Sequence, residues 1–229
     1  MLLVAYLVRG IAGFGSGLIA VPLLALVAPM SMVVPLVVCL DYVGSASQGL
    51  RNRQAIAWKE LIVLLPFTVI GVATGLLILN YVSTEKLAKA LGCFVIVYAM
   101  YQLIVLPVLR ASRIAATYCG FLGGLMGSLF NAGGPFYIIY FSMRTLDKTV
   151  LRSTFAANYL VDGAIRLGAY AAIGLFNREL LVHLLIALPL AAVALFAGGH
   201  VHTGLSQKVF VRFISLLLVA SGALLILRN

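Results

Sequence analysis

Asn158, Asp162 and Arg166 recur at intervals of four within an otherwise apolar stretch. On a helix that spacing places all three on one face. Asp162 and Arg166 can pair there, which lowers the cost of burying both charges. Such a pair is either a structural ion pair or part of a site for a charged solute, in which Arg166 supplies charge and the carboxylate takes up a proton. A second polar group, Asp41, Tyr42, Ser45 and Gln48, lies in another apolar run. Asp41 shares a helix face with Ser45, and Ser45 with Gln48. Arg9 stands four residues before Gly13. Two readings are open for it: its long side chain snorkels to an interface, or it adds charge to an anion site.

Two glycine clusters have the same kind of potential. One is Gly13-Phe-Gly-Ser-Gly17, followed by Pro22; the other is Asn131-Ala-Gly-Gly-Pro135, preceded by Gly123, Gly124 and Gly127. Clustered Gly and Pro break a helix. Within a membrane, broken backbone must be buried in protein or line a wet cavity. A helix restarting at such a break presents unsatisfied N–H groups and the positive end of its dipole, which together bind anions. Gly13, Gly15, Ser16 and Gly17 on one side and Asn131, Gly133, Gly134 and Pro135 on the other are therefore the candidate substrate-binding positions, with Arg166. Asp41, Asn158 and Asp162 are the candidate coupling or pore-lining positions. The competing reading is close helix packing, because Gly13–Gly17, Gly120–Gly124 and Gly123–Gly127 each have GxxxG spacing.

Other chemistry has less to stand on. His200 and His202 form an HxH without a nearby Cys, Asp or Glu, which is a poor metal site. His183 reads as a packed, hydrogen-bonded histidine. Cys39, Cys93 and Cys119 are odd in number and widely spaced, so they read as buried small hydrophobes rather than a disulfide framework. No nucleotide-binding loop, GxSxG or HExxH is present. An intramembrane enzyme would need a paired acid, base or nucleophile at one depth, and the nearest pair, Asp41 and Cys39, does not share a helix face. The expectation is a protein without enzymatic activity, metal or cofactor.

The elements that must position these residues follow from composition. The chain has 229 residues, 63% of them hydrophobic and 10% charged, where a soluble domain has about 25% charged. The mean hydropathy is +1.14. The surface is suited to a lipid bilayer rather than water. The net charge of +10 comes from basic residues in short gaps between apolar runs, where membrane topology uses them, so nucleic acid is not the expected partner. Apolar runs long enough to cross a bilayer lie at roughly 1–27, 32–50, 60–80, 87–108, 114–143, 149–173, 180–198 and 207–227. Trp58 beside Lys59 marks an interface. The start lacks the basic leader and cleavage site of a signal peptide. The expected fold is an all-α polytopic membrane protein forming one domain over 1–229.

A shift of 119 residues superimposes Gly15 on Gly134, Gly44 on Gly163, Gly49 on Gly168 and Glu60-Leu61 on Glu179-Leu180. This predicts two homologous halves near 1–108 and 114–229. Each opens with a Gly-broken or re-entrant segment and continues with three transmembrane helices. Paired interrupted helices in matching positions point to a transporter's binding site. Charge then discriminates between topologies. If the two broken segments span, the basic residues divide evenly. If both are re-entrant hairpins, Arg51, Arg53, Lys59, Arg110, Arg113, Arg144, Lys148, Arg152, Lys208 and Arg212 share one side, and only Lys86, Lys89, Arg178 and Arg228 take the other. The positive-inside bias favours the hairpins and hence an inverted repeat with both termini outside. The 12 residues before Gly13 agree, since they make about 18 Å of helix.

The run Gly13-Phe-Gly-Ser-Gly-Leu-Ile-Ala-Val-Pro22 resembles the glycine-rich opening motif of the TauE/SafE family of sulfite-exporter-like membrane proteins. Asn131-Ala-Gly-Gly-Pro-Phe136 resembles that family's GGP element. The resemblance covers nearly the whole chain, including the two-fold repeat and the basic loop after the second segment. Ser16 departs from the pattern, standing where the family often has Gly, and the segment before Gly13 is short. The resemblance implies a multi-pass transporter of a bacterial-type inner membrane. Its substrate would be a small sulfur oxyanion or organosulfonate such as sulfite or sulfoacetate. The residues themselves suggest a secondary carrier of a small anion, with protons as a candidate coupling ion. A channel with matched half-helices flanking a pore is the alternative.

Overall fold

A computed structural model of the chain describes residues 1–12, 15–49, 54–103, 113–144, 146–200 and 207–227. Ten helices run through them: α1 Leu2–Ala12, α2 Ser16–Ala25, α3 Met30–Gly49, α4 Trp58–Tyr81, α5 Thr84–Leu103, α6 Ala115–Phe130, α7 Gly134–Met143, α8 Lys148–Ala172, α9 Arg178–His200 and α10 Gln207–Leu227. No strand occurs among the described residues. Three helices, α4, α5 and α9, are long and apolar enough to cross a membrane.

Polarity is inverted relative to a water-soluble bundle. Ile62, Val97, Leu185, Val193, Phe196 and Leu216 on α4, α5, α9 and α10 are exposed. Arg9, Asp41, Asp162 and Arg166 are each at most 4% exposed. Lipid solvates the apolar exterior, and charged groups face the bundle interior. Cys39 is buried as expected, but Cys93 is exposed and Cys119 half-buried, since Cys93 falls on the outward face of α5. His183 also faces outward. It satisfies one ring nitrogen on the Glu179 carbonyl at 2.8 Å rather than by packing.

Both sequence-predicted breaks are present. The run expected over 1–27 divides into α1 and α2, and the run over 114–143 into α6 and α7. Helices α1, α2 and α7 have 11, 10 and 10 residues, about 15 Å each and half of a hydrocarbon core of about 30 Å. The glycines also pack, so the two readings of the Gly clusters are not exclusive. A Cβ on Gly120 would stand 2.8 Å from the Leu64 carbonyl oxygen, and Gly124 and Gly71 press still more closely on the Thr68 and Phe121 carbonyls. These contacts lock α4 against α6.

Register gives the path of each broken segment. Along α6, Gly120 meets Leu64 and Phe67, Gly124 meets Thr68 and Val72, and Ser128 meets Gly75. Numbers rise together, so α4 and α6 are parallel. Helix α7 then brings Tyr140 and Arg144 to Glu60, at the start of α4, beside the Leu64–Ala116 packing at the start of α6. The segment therefore enters and leaves by the same end of α4. Similarly, Tyr6 reaches Val37 and Asp41 while Arg9 reaches Asp41 and Ser45, so α1 runs parallel to α3. Helix α2 ends at Ala25, only residues 26–29 before α3 begins. It has returned to the end of α3 near which α1 started. Contacts between the expected halves come as counterparts: α1 packs on α9 as α6 packs on α4, α3 meets α8, and α5 meets α10.

Candidate functional site

The two breaks face each other across a buried polar chain. Helix α1 ends before the break with Tyr6 and Arg9 one turn apart on the face toward α3. Asp41 on α3 receives three donors on Oδ1: Tyr6 OH at 2.6 Å, Arg9 Nη1 at 2.5 Å and Ser16 Oγ at 2.7 Å. Ser16 is the first residue of α2. Arg9 Nη1 also donates to Ser16 Oγ at 3.1 Å, and Nη2 to Ser45 Oγ at 2.6 Å and the Asp41 carbonyl at 3.1 Å. The snorkelling reading of Arg9 fails because its guanidinium turns inward to a carboxylate and is 4% exposed.

Asn131 links this cluster to the second break. It terminates α6 in the left-handed region, at φ 52° and ψ 32°, a conformation Asn tolerates better than most residues. The Asn131 amide bonds the Gly127 carbonyl at 2.9 Å, and that of Ala132 the Met126 carbonyl at 3.1 Å, closing the helix end. The side chain is thereby held at the break. Its Nδ2 donates to Asp41 Oδ2 at 2.8 Å, and its Oδ1 accepts from Arg166 Nη1 at 2.7 Å. Arg166 Nη1 also donates to the Gly127 carbonyl at 2.9 Å. Arg166 Nη2 lies 2.8 Å from Asp162 Oδ2. One continuous chain thus runs Arg9–Asp41–Asn131–Arg166–Asp162.

Tyr159 on α8 lies between the two arginines. Its ring centroid is 6.0 Å from Arg9 Cζ and 5.8 Å from Arg166 Cζ, within cation–π range of both. The two carboxylates differ sharply. Asp41 has donors on both oxygens, which uses most of a carboxylate's acceptor capacity. Asp162 has its ion pair with Arg166 and the Tyr137 hydroxyl close by, while the nearby Asn158 Nδ2 and Arg166 Nε lack an aligned hydrogen bond. Buried polar groups in that state are costly.

The glycines divide into two kinds. Gly15 has φ 92°, and a Cβ there would meet nothing within 4 Å; a Cβ on Gly134 would touch only Phe155 Cζ at 3.6 Å and Tyr159 Cε2 at 3.8 Å. Among the described residues, Gly15 thus has open space beside it, and Gly134 has room for a methyl in ordinary contact. Among the described residues, no acceptor takes the Gly133 or Gly134 amide, and Pro135 adds no donor after them. Gly17 and Gly133 are instead buried close-approach positions, against Asn131 and the Gly123 carbonyl. Gly13 lies outside the described residues, as does the Gln48 side chain.

Nothing in the sequence singles out Tyr6, Tyr137 and Tyr159. Each is a tyrosine in an apolar run, indistinguishable there from packing; only the position of Tyr159 next to Asn158 hints at a role. In the sequence, Glu60 stands out only by its match to Glu179. It accepts from Tyr140 OH at 2.7 Å and from Arg144 Nε at 3.0 Å and Nη2 at 3.2 Å, pinning the returning end of α7.

Comparison with known proteins finds relatives along nearly the whole chain. The family model described as "Sulfite exporter TauE/SafE" matches residues 1–225. A protein of Cupriavidus necator named "Probable sulfite/organosulfonate exporter TauE" is 26% identical over 228 residues, covering 95% of this chain and 88% of its own length. "Probable inner membrane transporter protein TsaS" of Comamonas testosteroni is 24% identical over 192 residues, covering 82% and 80%. No solved structure matches.

Proposed function

The chain belongs to the sulfite exporter TauE/SafE family, and from that premise we propose that it is a secondary carrier for a small sulfur oxyanion or organosulfonate, with its site between the two helix breaks. It is a multi-pass inner-membrane transporter and not an enzyme. The observation that carries the finer reading is the buried chain from Arg9 to Arg166, two cations held at the tips of two broken segments. Charged side chains at membrane depth are expensive and mark solute pathways. Broken helices with their N-termini aimed inward are how such folds meet anionic groups. The relatives' names supply the substrate class: sulfite and organosulfonates share a compact, oxygen-rich anionic head that guanidinium and hydroxyl donors fit.

We read the two halves as an inverted repeat. In support, both broken segments return to the end they came from, and inter-half contacts occur as counterparts. Closure of the interior by the Arg9–Asp41–Asn131 contacts supports a carrier over an open pore. Asp162 is the proposed proton-coupling carboxylate, because Arg166 is its ion-pair partner whereas Asp41 is held by four donors. The test is flux of sulfite and methanesulfonate into proteoliposomes. A carrier saturates and shows counterflow; no anion flux under any imposed ion or proton gradient would reject the proposal.

A further inference from the structure

We propose that Asp41 is a tethered stand-in for the transported anion: its carboxylate occupies an oxyanion seat made by Arg9, Tyr6, Ser16 and Asn131, and the solute binds by displacing it. This rests on the carrier reading above and assigns the seat within it.

The composition of the seat is the first reason. Four donors from three separate parts of the chain converge on two carboxylate oxygens: Tyr6 and Arg9 from α1, Ser16 from the opening turn of α2, and Asn131 from the end of α6. One positive charge and three neutral donors arranged around a pair of oxygens are what a sulfonate or sulfite head requires. Ser16 also sits at the positive end of a ten-residue helix, which favours any anion placed there.

The second reason is the link across the breaks. A purely structural partner for Arg9 would need no contact with the second half. Asp41 Oδ2 nevertheless takes its hydrogen bond from Asn131, whose other end is held by Arg166. Withdrawal of Asp41 would release Arg9, Ser16, Tyr6 and Asn131 together, so occupancy of the seat is sensed at both breaks. The third reason is access. Among the described residues, Gly15 borders open space beside Ser16.

A built-in competitor reduces apparent affinity by the fraction of time the seat is vacant. The test is thermal unfolding of the purified full-length protein titrated with methanesulfonate and, separately, sulfite. Asp41→Asn should respond at about tenfold or more lower anion concentration than the unaltered protein. Arg9→Gln/Asp41→Asn, neutral in both positions, should show no anion response. An Asp41→Asn protein that responds at the same or higher concentration than the unaltered one, or not at all, overturns the proposal. If Asp41→Asn is recovered only when either anion is present, that rescue supports the seat. Failure of both anions to rescue it while the double variant folds overturns it. The carrier reading is judged separately by saturable flux of the unaltered protein, so the two can fail independently.

Discussion

Asn131 Nδ2 lies 2.8 Å from Asp41 Oδ2, joining residues ninety positions apart at the point where the two broken segments meet. The contact satisfies a buried carboxylate with an amide whose other end is held by Arg166 Nη1 at 2.7 Å. Bonds to charged groups are worth about 1.5–3 kcal/mol each.

Asn131→Gly isolates this bridge, because glycine accepts the left-handed backbone that closes α6 while removing both side-chain bonds. It should lower stability by roughly 2–4 kcal/mol and abolish anion flux. Chemical denaturation and proteoliposome uptake measure the two. A Gly variant with unaltered stability and flux would show that the bridge does nothing.

The open glycines and the packed glycines should respond differently. Gly134→Ala places a methyl at ordinary contact distance from Phe155 and Tyr159 and should fold and transport. Gly134→Leu should fold but block uptake by filling the approach to the free amides. Gly15→Ala is strained by φ 92°, at about 1–2 kcal/mol. Gly124→Ala, tight against Thr68 on α4, should cost about 1–3 kcal/mol as overpacking. Melting curves for the four variants, paired with uptake, check the ranking. Equal behaviour of Gly134→Leu and the unaltered protein in uptake would remove Gly134 from the pathway.

Helix breaks and lines of charge were legible from the sequence because Gly, Pro, Asp and Arg are rare in apolar runs and stand out. Asp162 and Arg166 could be paired in advance because four residues is one helical turn. Arg9 and Asp41 could not, since their contact depends on α1 lying parallel to α3, and no local spacing encodes that. Tyr6 and Tyr159 were hidden because a buried tyrosine looks like packing until its hydroxyl or ring is seen beside a charge. Gly17 and Gly133 look like Gly15 and Gly134 in sequence; only their neighbours separate packing from access.

Topology can be read with labels. In an otherwise cysteine-free protein, Lys59→Cys and Arg178→Cys, both exposed, should react with an impermeant maleimide from opposite sides of the membrane. Two full spans in place of the hairpins would put both residues on one side, so same-side labelling would reject the hairpin arrangement.

Glu60 and Arg144 tie the returning end of α7 to α4, with Tyr140 as a third member. Glu60→Gln and Arg144→Gln should each destabilise, and a double-mutant cycle should give a coupling of about 1–2 kcal/mol. The pair lies at an end of the helices, away from Asp41, so half-saturation for the anion should hardly move while turnover falls if the hairpin must stay clamped. A coupling near zero by urea unfolding would reduce the pair to a surface contact.

Asp162 and Arg166 pose the remaining question, whether their ion pair only holds α8 or also couples transport. Arg166 has two further acceptors, Asn131 Oδ1 and the Gly127 carbonyl, so it is anchored without Asp162. Removing Asp162 alone leaves a buried cation with those neutral partners, and breaking a buried pair costs about 3–5 kcal/mol. Asp162→Asn keeps the shape and should reduce that loss. If Asp162 carries the proton, Asp162→Asn should retain anion exchange in counterflow yet lose uphill uptake driven by a proton gradient. If the pair is structural, counterflow and driven uptake should fall in the same proportion. Asp162→Ala/Arg166→Ala then separates charge balance from function. Partial recovery of stability without recovery of flux assigns Arg166 to the pathway, and normal driven transport in the double variant would remove both residues from it.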